Sequence, residues 1–333
     1  MHPEPDRAAR LRLLALAALL LTLVRAAAQD TSPSLPAVTP TPATQRAMAQ
    51  LQVRLDRAGF TVGFIDGRRG PRSDHALADY RKARGIRSGA VEKTLAAEID
   101  APPWTVYTVT TGDLARVGSA PPDWQAASLI SNMACTSLVE VLSETFHCSP
   151  RLLQWLNPEE SAWDTATHGH TLCVPNVMPT QPLPHAARLE IDCQSFRIRA
   201  YDSDGALVAS FPVSIAADRS RVPAGALKIT AFAPDPTYLF DPANFPESPR
   251  AQAIGRKLIL PPGPNNPVGV FWMSLSRPGF GLHGTPHPET IGRPESHGCF
   301  RMTNWDVQRL SKIVETDTPL DVINAIPPAT EAQ

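Results

Sequence analysis

Two short runs hold side chains able to do nucleophilic chemistry: Leu282-His283-Gly284-Thr285-Pro286 and Ser296-His297-Gly298-Cys299-Phe300-Arg301-Met302. A cysteine attacks as its thiolate, and a free thiol with a pKa of about 8.5 is only a few per cent ionised at pH 7. An imidazole from His283 or His297 can take that proton or stabilise the thiolate. Gly298 has no Cβ, so a substrate carbonyl can approach the backbone closely. The amide N–H groups of Gly298 and Cys299 are then candidates for holding a tetrahedral oxyanion. An extended backbone over 297–301 would put His297, Cys299 and Arg301 on one face by the period of two. That arrangement sets a guanidinium beside the nucleophile, suited to a substrate carboxylate.

Other readings of the same residues stay open. A cysteine is often a small core residue, but the flanking glycine, histidines and arginine weigh against that here. His283, His287, His297 and Cys299 are also zinc ligand types, although a metal site leaves Ser296, Gly298 and Arg301 without a role. His168 and His170, close to Cys173, read as a solvated loop. No metal or cofactor is expected.

Any element that presents these runs must do so within a chain of 333 residues, long enough for two or three domains. Lys plus Arg (31) nearly balance Asp plus Glu (32), which argues against a nucleic-acid partner. The 35 prolines are about twice the usual share of roughly 5% and suit linked modules with few long helices. Arg7, Arg10 and Arg12, the apolar run Leu13 to Val24 and Ala26-Ala27-Ala28 have the order of a secretory signal peptide. The expectation is export over residues 1–28, by cleavage or with an uncleaved anchor, into an oxidising space such as the periplasm. Five cysteines leave at least one thiol unpaired if pairing is internal, and Cys135 with Cys173 is the preferred pair.

Pro33, Pro36, Pro40 and Pro42 mark a linker over 29–44. Residues 45–100 read as three short helices: Met48, Leu51, Leu55 and Ala58 recur at helical spacing, Ser73 is placed to cap a second helix, and Val91, Leu95 and Ile99 give a third. Residues 104–178 read as strand, helix, helix, strand. Thr105 to Val109 opens the segment, Ser149-Pro150 starts the second helix, and Thr171 to Pro175 closes it. About twenty residues beyond the usual loop length lie between Asp113 and the first of those helices. From Ala187 the period becomes two. Leu189, Ile191 and Cys193 alternate with Arg188, Glu190 and Asp192, and Phe196, Ile198 and Ala200 with Arg197, Arg199 and Tyr201. A mostly β domain over 187–325 follows, with one amphipathic helix at Val307 to Val314 and a tail over 326–333. The fold class expected is therefore multidomain α+β: a small three-helix bundle, a βααβ module and a mostly β domain.

Gln52, Gly59-Phe60, Asp66-Gly67, Gly70 and Ala76-Leu77 resemble the small helical peptidoglycan-binding domain. Tyr107-Thr108-Val109, Gly112-Asp113, Leu156-Asn157-Pro158 and Val174-Pro175 resemble a LysM module with an insertion. The His-Gly-Thr run at 283–285 and the Ser-His-Gly-Cys run at 296–299 resemble the YkuD-type L,D-transpeptidase catalytic domain. Pro223-Ala224-Gly225, Leu260 to Gly269 and Thr303 to Asp306 fit the same family. That resemblance implies a β-sandwich in which Cys299 is the acylated nucleophile and His283 the general base. It gives His297 an orienting role, has Ser296 and Gly298 shape the loop and oxyanion pocket, and has Arg301 contact substrate or hold the loop. It further implies 3→3 cross-linking of peptidoglycan tetrapeptide stems, with stem peptides and glycan as partners and carbapenem-type inhibitors as acylating ligands. Two alternatives remain: a carboxypeptidase or wall-protein hydrolase or ligase of the same fold, and a non-catalytic peptidoglycan-binding scaffold.

Overall fold

The period-two segments form a single eight-stranded sheet, built from β3 (Arg188–Asp192), β4 (Arg197–Tyr201), β5 (Leu207–Pro212), β7 (Gly225–Pro234), β10 (Phe271–Leu275), β11 (Gly281–His283), β13 (Phe300–Arg301) and β14 (Pro319–Ile323). Its spatial order is β13-β11-β10-β7-β14-β3-β4-β5. The pairs β11–β13 and β14–β3 are parallel and the others antiparallel. This is a computed structural model and describes residues 43–325, apart from 88–90, 161–162, 164–166, 180, 247 and 297. The expected export segment, most of the linker and the tail lie outside the described residues, as does His297. None of the described helices is long and apolar enough to cross a membrane.

The expected sandwich takes the form of one curled sheet. Strand twist rotates each neighbour in the same sense, and irregularities at Ala200/Tyr201 and Ser274/Leu275 sharpen the bend. The chain leaving β5 then reaches the opposite edge, where Ser214 and Arg301 exchange two backbone hydrogen bonds of 2.9 Å. The inner face buries Leu189, Ile191, Ile198, Phe211, Met273, Leu282 and Phe300 against the final helix. That helix runs Asn304–Ser311, three residues earlier than its apolar pattern suggests, because Thr303 caps it by accepting from the Asp306 amide at 3.2 Å. Two short pairs sit outside the sheet: β6 (Ile215–Ala216) with β12 (Pro294–Ser296), and β8 (Tyr238–Phe240) with β9 (Leu258–Leu260).

Ahead of the sheet lie α1 (Ala43–Arg57), α2 (Pro71–Ala83) and α3 (Val91–Glu98). Ser73 does not cap α2. Proline at the first helical position starts the helix at residue 71, and the Ser73 hydroxyl instead accepts from Gln52 Nε2 at 3.1 Å. Next come β1 (Trp104–Thr108), α4 (Thr111–Ala115), α5 (Trp124–Ala127), α6 (Leu138–Thr145), α7 (Pro150–Leu156) and β2 (Thr171–Pro175), with β1 and β2 antiparallel. Ser149 caps α7 as its Ser-Pro pair predicts. All five cysteines are unpaired: Cys135 bridges to Val117, whereas Cys173 lies in β2 opposite Val106. The expected Cys135–Cys173 link is absent because the two residues are engaged with different backbone partners.

The outward side of β4 is not solvated. Arg197 is 1% exposed. Its guanidinium donates to Asp79 of α2 at 3.3 Å, to Ser210 of β5 at 2.9 Å and to the Thr61 carbonyl at 2.7 Å. Arg199 donates to the other oxygen of Asp79 at 2.7 Å. The helical segment therefore covers the sheet's outer face, and the buried charge is tolerated there because Asp79, Ser210 and the Thr61 carbonyl partner the guanidinium. Phe60, Tyr80, Leu142, Leu153, Val174 and Tyr201 share one apolar cluster. The described residues accordingly belong to one compact unit, Thr39–Gln333.

Candidate active site

The curl and the parallel β11–β13 pair bring the two chemical runs together. Leu282 pairs with Phe300 and His283 with Arg301, so Cys299 sits one residue before the strand that flanks His283. The Met302 amide donates to the His283 carbonyl at 2.8 Å and fixes that register.

His283 is 5% exposed and stacks on Trp272, its cross-strand partner, with centroids 5.3 Å apart and planes 16° from parallel. Its Nδ1 lies 2.7 Å from the Gly284 carbonyl oxygen. A carbonyl only accepts, so Nδ1 carries the proton and Nε2 keeps a free lone pair. Burial holds the imidazolium pKa down at about 4, aided by the positive charge of Arg301 and opposed by the Gly284 carbonyl. At neutral pH this ring is a neutral base.

Cys299 is half-buried, and its Sγ donates to the Gly279 carbonyl at 3.5 Å. Burial pushes the thiol above its ordinary pKa, while the Gly281 backbone amide and the Arg301 charge pull the other way. Burial therefore favours the neutral form of both the thiol and the imidazole.

Ser296 organises the loop between β12 and β13. Its hydroxyl donates to the Cys299 carbonyl at 2.6 Å and accepts from the Gly298 amide at 3.2 Å. Residues 298–299 bend, and extended backbone begins only at Phe300. The expected one-face array of His297, Cys299 and Arg301 therefore does not form as a strand, although Arg301 remains close enough for its charge to act on Cys299. A Cβ at Gly298 would meet the Phe280 ring at 3.5 Å, an ordinary contact, so packing alone does not require glycine there. Among the described residues no group of three or more His, Cys, Asp or Glu converges on a metal site. His287 faces Glu289 at 3.6 Å and His170 pairs with Glu160.

Sequence reasoning gave no role to two residues that frame the site. Asn304 accepts from the Val270 amide at 3.2 Å and donates to the Pro264 carbonyl at 3.1 Å and to Glu144 at 3.3 Å. A Cβ on Gly269 or Gly284 would fall 2.1 or 2.2 Å from its Oδ1, so only glycine permits this approach. Burial pushes the phenol of Tyr238, at the start of β8, above its ordinary pKa; a thiolate at Cys299 would add to this and the Arg301 charge opposes it. No local pattern marks Tyr238, because its neighbours carry neither chemistry nor periodicity.

Residues 186–322 match the family model for YkuD, the L,D-transpeptidase catalytic domain. The YkuD relative of Bacillus licheniformis is 25% identical over 184 residues, covering 55% of this chain and 92% of that protein. That alignment is longer than the family segment and so reaches beyond it. The YkuD relative of Bacillus subtilis is 24% identical over 181 residues, covering 54% and 90%. The YbiS relative of Escherichia coli is 35% identical over 75 residues, covering 22% and 24%. The C-terminal part of this chain is thus similar to the YkuD-type L,D-transpeptidase catalytic domain.

Proposed function

We propose that the protein is an exported L,D-transpeptidase that forms 3→3 peptidoglycan cross-links through a thioester on Cys299. The observation that carries this reading is the pairing of β11 with β13. It sets a half-buried thiol beside a strand whose histidine is held neutral, with Nε2 free to accept a proton.

The Cys299 thiol gives its proton to His283 Nε2 as sulfur attacks the carbonyl of the diaminoacyl residue in a tetrapeptide stem. The tetrahedral oxyanion is held by amide N–H groups around Gly298 and Cys299. Collapse breaks the C–N bond, and the imidazolium returns the proton to the departing D-alanine amine. An amine of a second stem then loses its proton to His283 and attacks the thioester, and the thiol is regenerated. Splitting one amide exchange into two steps is what covalent catalysis offers. Ser296 holds the loop, Arg301 contacts substrate or holds the loop, and the role proposed for His297 is to orient or polarise. The same thiol would be acylated by carbapenem-type β-lactams. The segments over 45–100 and 104–178 are proposed to bind peptidoglycan, which agrees with an exported, wall-facing protein.

The deciding measurement is the mass of products from tetrapeptide muropeptides, with Cys299→Ala alongside. Dimers lacking one D-alanine are expected from the wild type only. Tripeptides alone would identify a carboxypeptidase, and unchanged substrate in both samples a scaffold.

A further inference from the structure

The residues between α4 and α6 make the second segment longer than its strand–helix–helix–strand pattern requires, and they lie against the β8–β9 hairpin. Trp124 of α5 packs edge-on to Phe240 with centroids 4.4 Å apart, and reaches Tyr238 at 6.4 Å and Phe245 at 6.2 Å. Ala127, Phe240, Ala251, Leu258 and Leu260 form a small apolar cluster of their own, with Trp124 and Met133 packed against it. Backbone contacts extend the grip. The Met133 amide donates to the Pro262 carbonyl at 2.8 Å, and the Met133 carbonyl accepts from the Asn265 amide at 3.0 Å. Asn265 Nδ2 also donates to the Ala134 carbonyl at 2.8 Å. The approach is so close that a Cβ on Gly263, whose φ is +136°, would lie 2.3 Å from the Met133 carbonyl oxygen.

The base of this hairpin belongs to the site. Pro234 at the end of β7 pairs with Phe271, and the next β10 residue, Trp272, is the partner of His283. The Asp235 amide donates to the Val270 carbonyl at 2.9 Å, which closes the base. By strand alternation Tyr238 and Phe240 share the face turned to Trp124, whereas Leu239 and its cross-strand partner Ile259 point to solvent at 56% and 64% exposure. One element thus joins the strands that hold His283 at its base and is gripped by the insertion along one face.

We propose that the 116–137 insertion clamps the β8–β9 hairpin beside the strand pair that holds His283, and that Trp124 is a positioning residue for acyl transfer, acting through that hairpin. The proposal rests on the reading of Cys299 as the acylated residue. It gives the insertion a task distinct from wall binding: holding the hairpin whose base adjoins β10, the strand paired with that of His283. Trp124 suits it because a large ring fills the cluster without adding flexible torsions.

The test uses the full chain with Trp124→Ala, Trp124→Leu and the conservative Trp124→Phe. Two readouts do not depend on the reaction: hydrogen exchange of residues 238–260, and the iodoacetamide alkylation rate of Cys299 followed by peptide mapping. A third is turnover of tetrapeptide muropeptides. Trp124→Ala should speed exchange in the hairpin, change Cys299 alkylation by about fivefold or more, and lower kcat about tenfold with little change in KM, while Trp124→Phe restores most of each. Trp124→Leu keeps apolar volume, should fold, and should fall between them. Unchanged hairpin exchange and alkylation in both Trp124→Ala and Trp124→Leu would overturn the clamp. A kcat loss that Trp124→Phe fails to restore would overturn the positioning role. Wild-type protein without turnover, but with the exchange and alkylation shifts intact, would sink the transpeptidase reading and uphold the clamp.

Discussion

Two histidines in this molecule sit in nearly the same aromatic setting and are partnered in opposite ways. His283 stacks on Trp272 at 5.3 Å, and His147 stacks on Trp305 at 5.2 Å with planes only 6° apart. In the first case the ring nitrogen meets a neutral carbonyl, Gly284. In the second it meets the carboxylate of Asp56 at 3.1 Å, which also accepts from Arg309 at 2.9 Å. A carbonyl partner cannot supply the charge that would stabilise an imidazolium, so burial decides, and the ring near Cys299 stays neutral and basic. Asp56 is buried too, yet His147 and Arg309 hold its carboxyl below the usual range. One site keeps a proton acceptor available; the other ties α1, the turn before α7 and the final helix into one joint. The surrounding ring is the same, and the partner sets the role.

The largest effect expected from this contrast is catalytic. His283→Ala should lower acyl transfer by about 10²–10⁴-fold, whereas His147→Ala should leave kcat of the folded protein within about twofold, a bound that corresponds to under about 0.5 kcal/mol. Initial-rate kinetics on both variants separate them, and a comparable kcat loss in each would erase the distinction.

The next effect is on folding. Asp56→Ala leaves the Arg309 charge and the His147 ring without their shared carboxylate, and breaking a buried pair typically costs about 3–5 kcal/mol. Urea unfolding should show a clearly lower midpoint with the slope unchanged. A midpoint equal to wild type would mean that the joint is solvated.

A smaller effect concerns pH. With its folded pKa near 4 against an ordinary 6.5, His283 binds fewer protons in the folded than in the unfolded protein between those values. Its contribution to stability is therefore complete above about pH 6.5 and is lost as pH falls toward 4. The acid limb of kcat/KM should likewise lie near pH 4. A limb near 6.5 would show a ring open to water.

The effect furthest from the chemistry falls on Glu144, which burial pushes up to about 8 and which faces Asn304 behind the site. Raised above its unfolded value, this carboxyl favours folding at low pH and loses that advantage as pH rises through 8. Glu144→Gln imitates the protonated form. Thermal melts of the two proteins should nearly coincide at pH 5, and the variant should melt higher at pH 9.

What the sequence made legible follows the range of the interactions involved. The alternation of Leu189 and Ile191 and the Ser149-Pro150 helix start are local signals, and each stands where its pattern puts it. Arg197 misleads because alternation only says that it points away from Phe211 and Ile198; nothing nearby reveals that Asp79, 118 residues earlier, covers that face. Ser73 misleads because a competing start signal, Pro71, lies two residues away. The Cys135–Cys173 expectation fails for a related reason, since nearness in sequence does not determine which backbones meet. Tyr238 and Trp124 were invisible to pattern altogether: their meaning comes from a hairpin and an insertion that touch only in the folded chain.

The exchange between Ser214 and Arg301 is the line along which the curled sheet meets itself, and the reactive sulfur belongs to the residue two places before that line. Parting of this closure would leave Cys299 tied to the imidazole's strand through the β11–β13 pair, while freeing its loop along the other side. Alkylation of Cys299 should therefore quicken on gentle warming before secondary structure is lost, with the β6–β12 pair as the remaining restraint on that seam.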